Sequence, residues 1–120
     1  MAHKKILFVN RKAPYGTAAA CETLEAALIA AAFDQEVHLA FLDDGVFQLV
    51  KHQQPDALGH KGFTEGFLDL AEYDIDDVWV EAESLAERGL SEHDLMIPVA
   101  LLDRAAMAAL MNDVDVVFSA

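Results

Sequence analysis

The sequence is short of cysteine, of positive charge and of long apolar runs, and each shortage removes a class of function. Cys21 is the only thiol, so no disulfide can join two points of this chain, and a reducing compartment is expected. Eight Lys and Arg stand against 21 Asp and Glu, a net charge of −13. Such a chain lacks the cations that displace counterions from a phosphate backbone, so direct nucleic-acid binding is not expected. The acidic excess suits steering toward a basic partner, but a merely solvated acidic surface is its plainer account. No apolar run approaches the roughly 20 residues that span a bilayer. The apolar part of the N-terminus, Ile6 to Val9, is too short for a secretory signal and runs into Asn10-Arg11-Lys12. It reads as a first strand, and the protein is expected to be cytoplasmic.

The motifs of self-contained chemistry are missing too. The turn after the first strand holds Gly16 alone where a dinucleotide site needs Gly-x-Gly-x-x-Gly. His3, His38, His52, His60 and His93 are scattered, with no helical i, i+4 pair and no Cys-x-x-Cys, so no metal site is expected. A phosphate-accepting receiver needs acids where the first strand ends, and this chain has Asn10-Arg11-Lys12. Cys21 falls on the apolar stripe of the first helix with Glu22 beside it. Burial and a neighbouring carboxylate both disfavour a thiolate, so a packed core cysteine is expected. Asp43 and Asp44 are adjacent, and helix capping or partner contact suits them better than acid–base work. No nucleophile, base and oxyanion site come together. No catalytic residue, no cofactor and no metal is expected in this chain. Arg11 and Lys12 before a helix start at Thr17 could hold an anion, which keeps a small anion- or nucleotide-binding protein as an alternative of another class.

What is present is organised around Val37 to Val50. An apolar run suited to a strand buried on both faces breaks at Asp43-Asp44-Gly45, and Val46, Phe47, Leu49 and Val50 then resume as a short buried helix. Gly45 is read as supplying backbone angles closed to other residues. Around this stretch the pattern predicts strands at Lys5–Asn10, from Glu36, at Asp76–Ala82, at Leu95–Leu101 and at Val114–Phe118. Helices are predicted from Thr17 to about Ala32, from Phe63 to near Tyr73, over Ser84–Arg88 and after Asp103, which caps the last one. Gly89 is suited to end the third, and Pro98 points to a sheet edge or bulge. Strands alternating with helices give one α/β domain over residues 1–120, a three-layer α/β/α sandwich with a mainly parallel five-stranded sheet of Rossmann or flavodoxin type. Ligands and partners bind at the carboxyl edge of such sheets.

The blocks Asn10-Arg11-Lys12-Ala13-Pro14-Tyr15-Gly16-Thr17, Ala31-Ala32-Phe33-Asp34-Gln35, Phe41-Leu42-Asp43-Asp44-Gly45-Val46-Phe47-Gln48-Leu49, Ser84-Leu85-Ala86-Glu87-Arg88-Gly89-Leu90 and Leu110-Met111-Asn112 closely resemble the DsrF-type subunits of the DsrE/DsrF/DsrH (TusD/TusC/TusB-like) sulfur-relay family. The resemblance spans nearly the whole chain. It implies a cytoplasmic heterohexamer with DsrE/TusD-like and DsrH/TusB-like sister subunits, passing persulfide sulfur to a DsrC/TusE-like carrier. It also implies that the essential cysteine belongs to the DsrE/TusD subunit, after its third or equivalent strand. The matching place here, Glu81-Ala82-Glu83, holds no cysteine. The chain is then expected to be a silent structural and recognition subunit. Sulfur oxidation fits the Asn-Arg-Lys-Ala-Pro-Tyr-Gly block, and a TusC-like role in tRNA 2-thiouridine synthesis is the alternative. Arg11, Lys12, Tyr15, Asp43 and Asp44 are expected to meet at the strand carboxyl edge, with Phe47 beside them, as the interface or recognition set. For Phe47, simply filling the core is the competing role.

Overall fold

The computed structural model describes residues 4–12, 19–50, 70, 75 and 78–119. Tyr15, Thr17, the Cys21 side chain, the start of the third strand and nearly all of the helix expected between Phe63 and Tyr73 lie outside the described residues.

Strands β1 (Lys5–Asn10) and β2 (Glu36–Phe41) pair in parallel from Lys5 opposite Glu36 to Asn10 opposite Phe41. With β3 (Val78–Glu81), β4 (Ala100–Leu102) and β5 (Val116–Ser119) they form one five-stranded sheet in the order β4-β3-β2-β1-β5, and every pairing is parallel. The period-2 alternation of strands separates two apolar layers. On one face Phe8, Val37, Leu39, Phe41, Val78 and Val80 pack with Leu24 and Ala27 of α1 (Ala19–Ala32). The same layer takes in Val46 and Leu49 of a 3₁₀ segment (Asp43–Leu49). On the other face Leu7, Val9 and Ala40 pack on Met107 of α3 (Arg104–Asp113), with Trp79 and Leu102 at its margin. The result is the expected α/β/α sandwich with a parallel sheet.

Local chemistry sets the helix ends. α1 closes with Asp34 in the left-handed region, φ 64°. There Asp34 N–H donates to Ala31 O at 3.1 Å and Gln35 N–H to Ala30 O at 3.2 Å, a Schellman pair built without glycine. α2 (Ala82–Glu87) ends the same way, with Gly89 at φ 69° and Leu90 N–H donating to Leu85 O at 2.9 Å. Asp103 caps α3, its Oδ1 accepting Ala106 N–H at 2.7 Å.

Three expectations need correction. Leu95 is not in a fourth strand. It follows a 3₁₀ turn (Glu92–Asp94) and makes an isolated antiparallel bridge to Val50, while β4 itself is only Ala100–Leu102. Pro98, which has no N–H to donate, lies two residues before that short edge strand. Asp43 and Asp44 do not cap: Leu42 is the N-cap of the 3₁₀ segment and supplies no side-chain bond. Gly45 is needed for a different reason. Its φ is not positive, but a Cβ built on it would fall 1.8 Å from the Asn10 carbonyl oxygen. The left-handed residue of the turn is Asp43, at φ 51°, a conformation that Asp tolerates better than most residues.

Candidate functional site

The sheet ends in two corners that meet beside Gly45. At the first, β1 delivers Asn10, buried at 3% exposure, whose Nδ2 donates to Phe8 O and Ala40 O, both at 3.2 Å. Leu42 N–H donates to Asn10 O at 3.1 Å, so the chains leaving β1 and β2 are clamped together. Gln48, fully buried, reaches across and donates from Nε2 to Lys12 O at 2.8 Å. This fixes the backbone at Lys12 while the Arg11 and Lys12 side chains remain exposed. Among the described residues neither of them makes an ion pair.

The second corner is a polar network centred on Glu81, the last residue of β3, a carboxylate only 4% exposed. Ser84 Oγ donates to Glu81 Oε1 at 2.6 Å and accepts the Asp43 N–H at 2.8 Å. Arg104 Nε donates to the same Glu81 oxygen at 3.2 Å, and its second arm reaches Glu87 at 2.9 Å. Arg104 N–H donates to Glu83 at 3.0 Å, so the start of α3 is tied to α2. A buried carboxylate is tolerable only when paired and hydrogen-bonded, and Glu81 has both kinds of partner. The Glu81 carboxylate, and then Glu87, hold the Arg104 pKa above the usual arginine value. A raised value in a cation means that this contribution is complete at neutral pH, and on the alkaline side it is lost as pH rises through that higher value. Arg88 completes the corner, donating from Nε to Asp44 at 3.1 Å and from one arm to Ser84 O at 3.2 Å.

The parallel sheet therefore carries Arg11, Lys12, Asp43 and Asp44 to one edge, as expected. It does not pair them with one another: Asp44 is held by Arg88, and Asp43 by its backbone contact with Ser84. Phe47 is half-buried, neither in the two apolar layers nor among the large exposed apolar side chains. Among the described residues no three His, Cys, Asp or Glu converge as metal ligands. Sequence reasoning missed Gln48, Glu81, Ser84, Arg88 and Arg104. A glutamate directly after Val78-Trp79-Val80 was the available signal, since a strand that buried delivers its last residue to a buried position.

The sequence matches the DsrE/DsrF-like family over residues 4–120. The chain belongs to that family. It is 42% identical, in a 130-residue alignment covering 97% of this chain and 96% of the relative, to the intracellular sulfur oxidation protein DsrF of Allochromatium vinosum. It is 38% identical over 116 residues to a TusC homolog of Pseudomonas aeruginosa, covering 97% of this chain and 98% of the other. The ychN protein of E. coli shares the fold with a TM-score of 0.83 at 20% identity, over 98% of this chain and 99% of that one. A Methanobacterium thermoautotrophicum protein of unknown function superposes with a TM-score of 0.64 at 10% identity, over 92% of each chain. In this DsrE/DsrF-like chain the edge is a charged platform tied together by hydrogen bonds.

Proposed function

We propose that this chain is a non-catalytic structural and recognition subunit of a cytoplasmic sulfur-relay assembly, formed with DsrE/TusD-like and DsrH/TusB-like sisters. In this reading the assembly is a heterohexamer that passes persulfide sulfur to a DsrC/TusE-type carrier in sulfur oxidation. The observation that carries it is the near full-length similarity to a protein named for intracellular sulfur oxidation. The Glu81–Glu83 segment supports the silent role. The position where the resemblance places the relay cysteine of a sister is filled by a carboxylate locked to Ser84 and Arg104. Negative charge at that point disfavours a thiolate or persulfide anion. Recognition falls to the exposed Arg11 and Lys12, to Asp43, Asp44 and Phe47, and to Tyr15, which follows Lys12 by three residues in the sequence.

A TusC-like role in tRNA thiolation is the second reading, favoured by the 38% identity to a TusC homolog. Co-expression of the chain with the products of its neighbouring genes, native mass measurement and intact-mass analysis after sulfide loading test the first reading. A complex with added sulfur on a sister chain and none on this one is expected. Sulfur on Cys21, or no complex, overturns it. Loss of 2-thiouridine on deletion of the gene would select the tRNA pathway.

A further inference from the structure

Among the described residues, one flank presents exposed apolar side chains. α1 turns Leu24 and Ala27 into the core, while Glu22, Ala26, Ile29 and Phe33 follow at i, i+4, i+7 and i+11 along another stripe. Ile29 is 59% exposed and Phe33 70% exposed. At the upper end of this stripe lies β5, the last strand of the sheet. Its Phe118 stacks on Phe8 with ring centroids 5.2 Å apart and yet is 54% exposed. Between them Phe8, Glu22, Thr23, Ala26, Phe118 and Ser119 line an open groove of about 190 Å³. Groove and stripe form one apolar strip running along the helix. A strip of this kind, built from large side chains, marks an association surface.

Its charge identifies the occupant. Glu22, Glu25 and Asp34 rim the strip, and residues 13–50 contain no Lys or Arg. At the foot of the strands, Lys5 is already shared between Glu36 at 4.0 Å and Asp113 at 3.9 Å. A second copy would bring the same acidic rim against itself, since a twofold interface pairs a patch with its own image. Between chains of net charge −13, that juxtaposition is unfavourable. We propose that this flank docks a different subunit of the relay assembly, one that inserts an apolar side chain into the Phe8–Phe118 groove and surrounds it with Lys or Arg. This rests on the assembly reading above and adds a second surface to it, remote from the Glu81 corner.

The test uses the full chain with its DsrE-type and DsrH-type sisters, in the wild type, Ile29→Ser/Phe33→Ser and Glu22→Lys/Glu25→Lys forms. Both apolar positions are exposed, so the first variant keeps the wild-type melting temperature. It binds the sisters at least about tenfold more weakly if the strip is the anchor. The charge-reversed variant also binds about tenfold more weakly at low ionic strength, and its deficit shrinks as salt screens the rim. A wild-type complex that both variants join unchanged overturns this assignment and leaves the assembly reading standing. So does a homo-oligomer of the isolated chain that Ile29→Ser/Phe33→Ser dissolves. A wild-type chain that joins neither sister overturns the assembly reading, and the assignment with it.

Discussion

The carboxyl edge of the sheet and the α1/β5 flank are built on opposite principles. At the edge, polar groups are taken out of water and matched: Glu81 with Ser84 and Arg104, Asn10 with two carbonyls, Gln48 with Lys12 O. Arg104 to Glu81, Asn10 to Ala40 and Gln48 to Lys12 link segments distant in sequence, and Ser84 holds the Asp43 N–H from forty-one residues away. On the flank, large apolar side chains stand in solvent: Ile29 is 59% exposed, Phe33 70% and Phe118 54%. The edge resembles a finished interior and the flank half of one. Substitutions should therefore cost stability at the edge and cost association on the flank.

The sharpest way to break the comparison is Gly45→Ala. The added methyl meets backbone, the Asn10 carbonyl at 1.8 Å and its carbon at 2.5 Å, and neither can step aside as a flexible side chain would. A loss of about 3 kcal/mol or more is expected, read as a fall in the denaturation midpoint at unchanged slope. A variant with wild-type stability would mean that the β1 and β2 exits are not clamped as described. Ser84→Ala comes next. It strips one partner from buried Glu81 and another from the Asp43 N–H, and about 1–3 kcal/mol should be lost. Faster hydrogen exchange at the Asp43 amide would locate the loss in the turn, and unchanged exchange there would contradict the network. The smallest effect is expected from Asp44→Asn, because the Asp44 side chain is 61% exposed and its Arg88 contact is screened. Within about 0.5 kcal/mol of wild type is the expected thermal result. A larger loss would move Asp44 from the recognition surface into the structural network.

How much was legible follows from the range of the forces. The Asp34-Gln35 stop, the Gly89 stop and the Asp103 cap were readable because each acts within a few residues of its own chain. So was the division of Lys5–Asn10 and Glu36–Phe41 into strands, since period-2 burial is written along each segment. Leu95 misled because a short apolar run suits a strand, whereas a backbone bridge from Val50 claimed it instead. Asp43 and Asp44 carried the right composition for a cap, yet Ser84 and Arg88, some forty residues away in sequence, took them for a tertiary contact.

By itself the sequence determined an acidic, apolar-rich α/β chain of the DsrE/DsrF-like family, with two acids and two cations due at the ends of successive strands. Those features are local or compositional, and local propensity suffices to set them. Only the tertiary structure decided the strand order, the pairing of Glu81 with Ser84 and Arg104, the tight fit of Gly45 on Asn10, and the exposure of Phe33 and Phe118. Each of these depends on which distant segments meet, and that is chosen by burial summed over the whole sheet rather than by any residue's own preference.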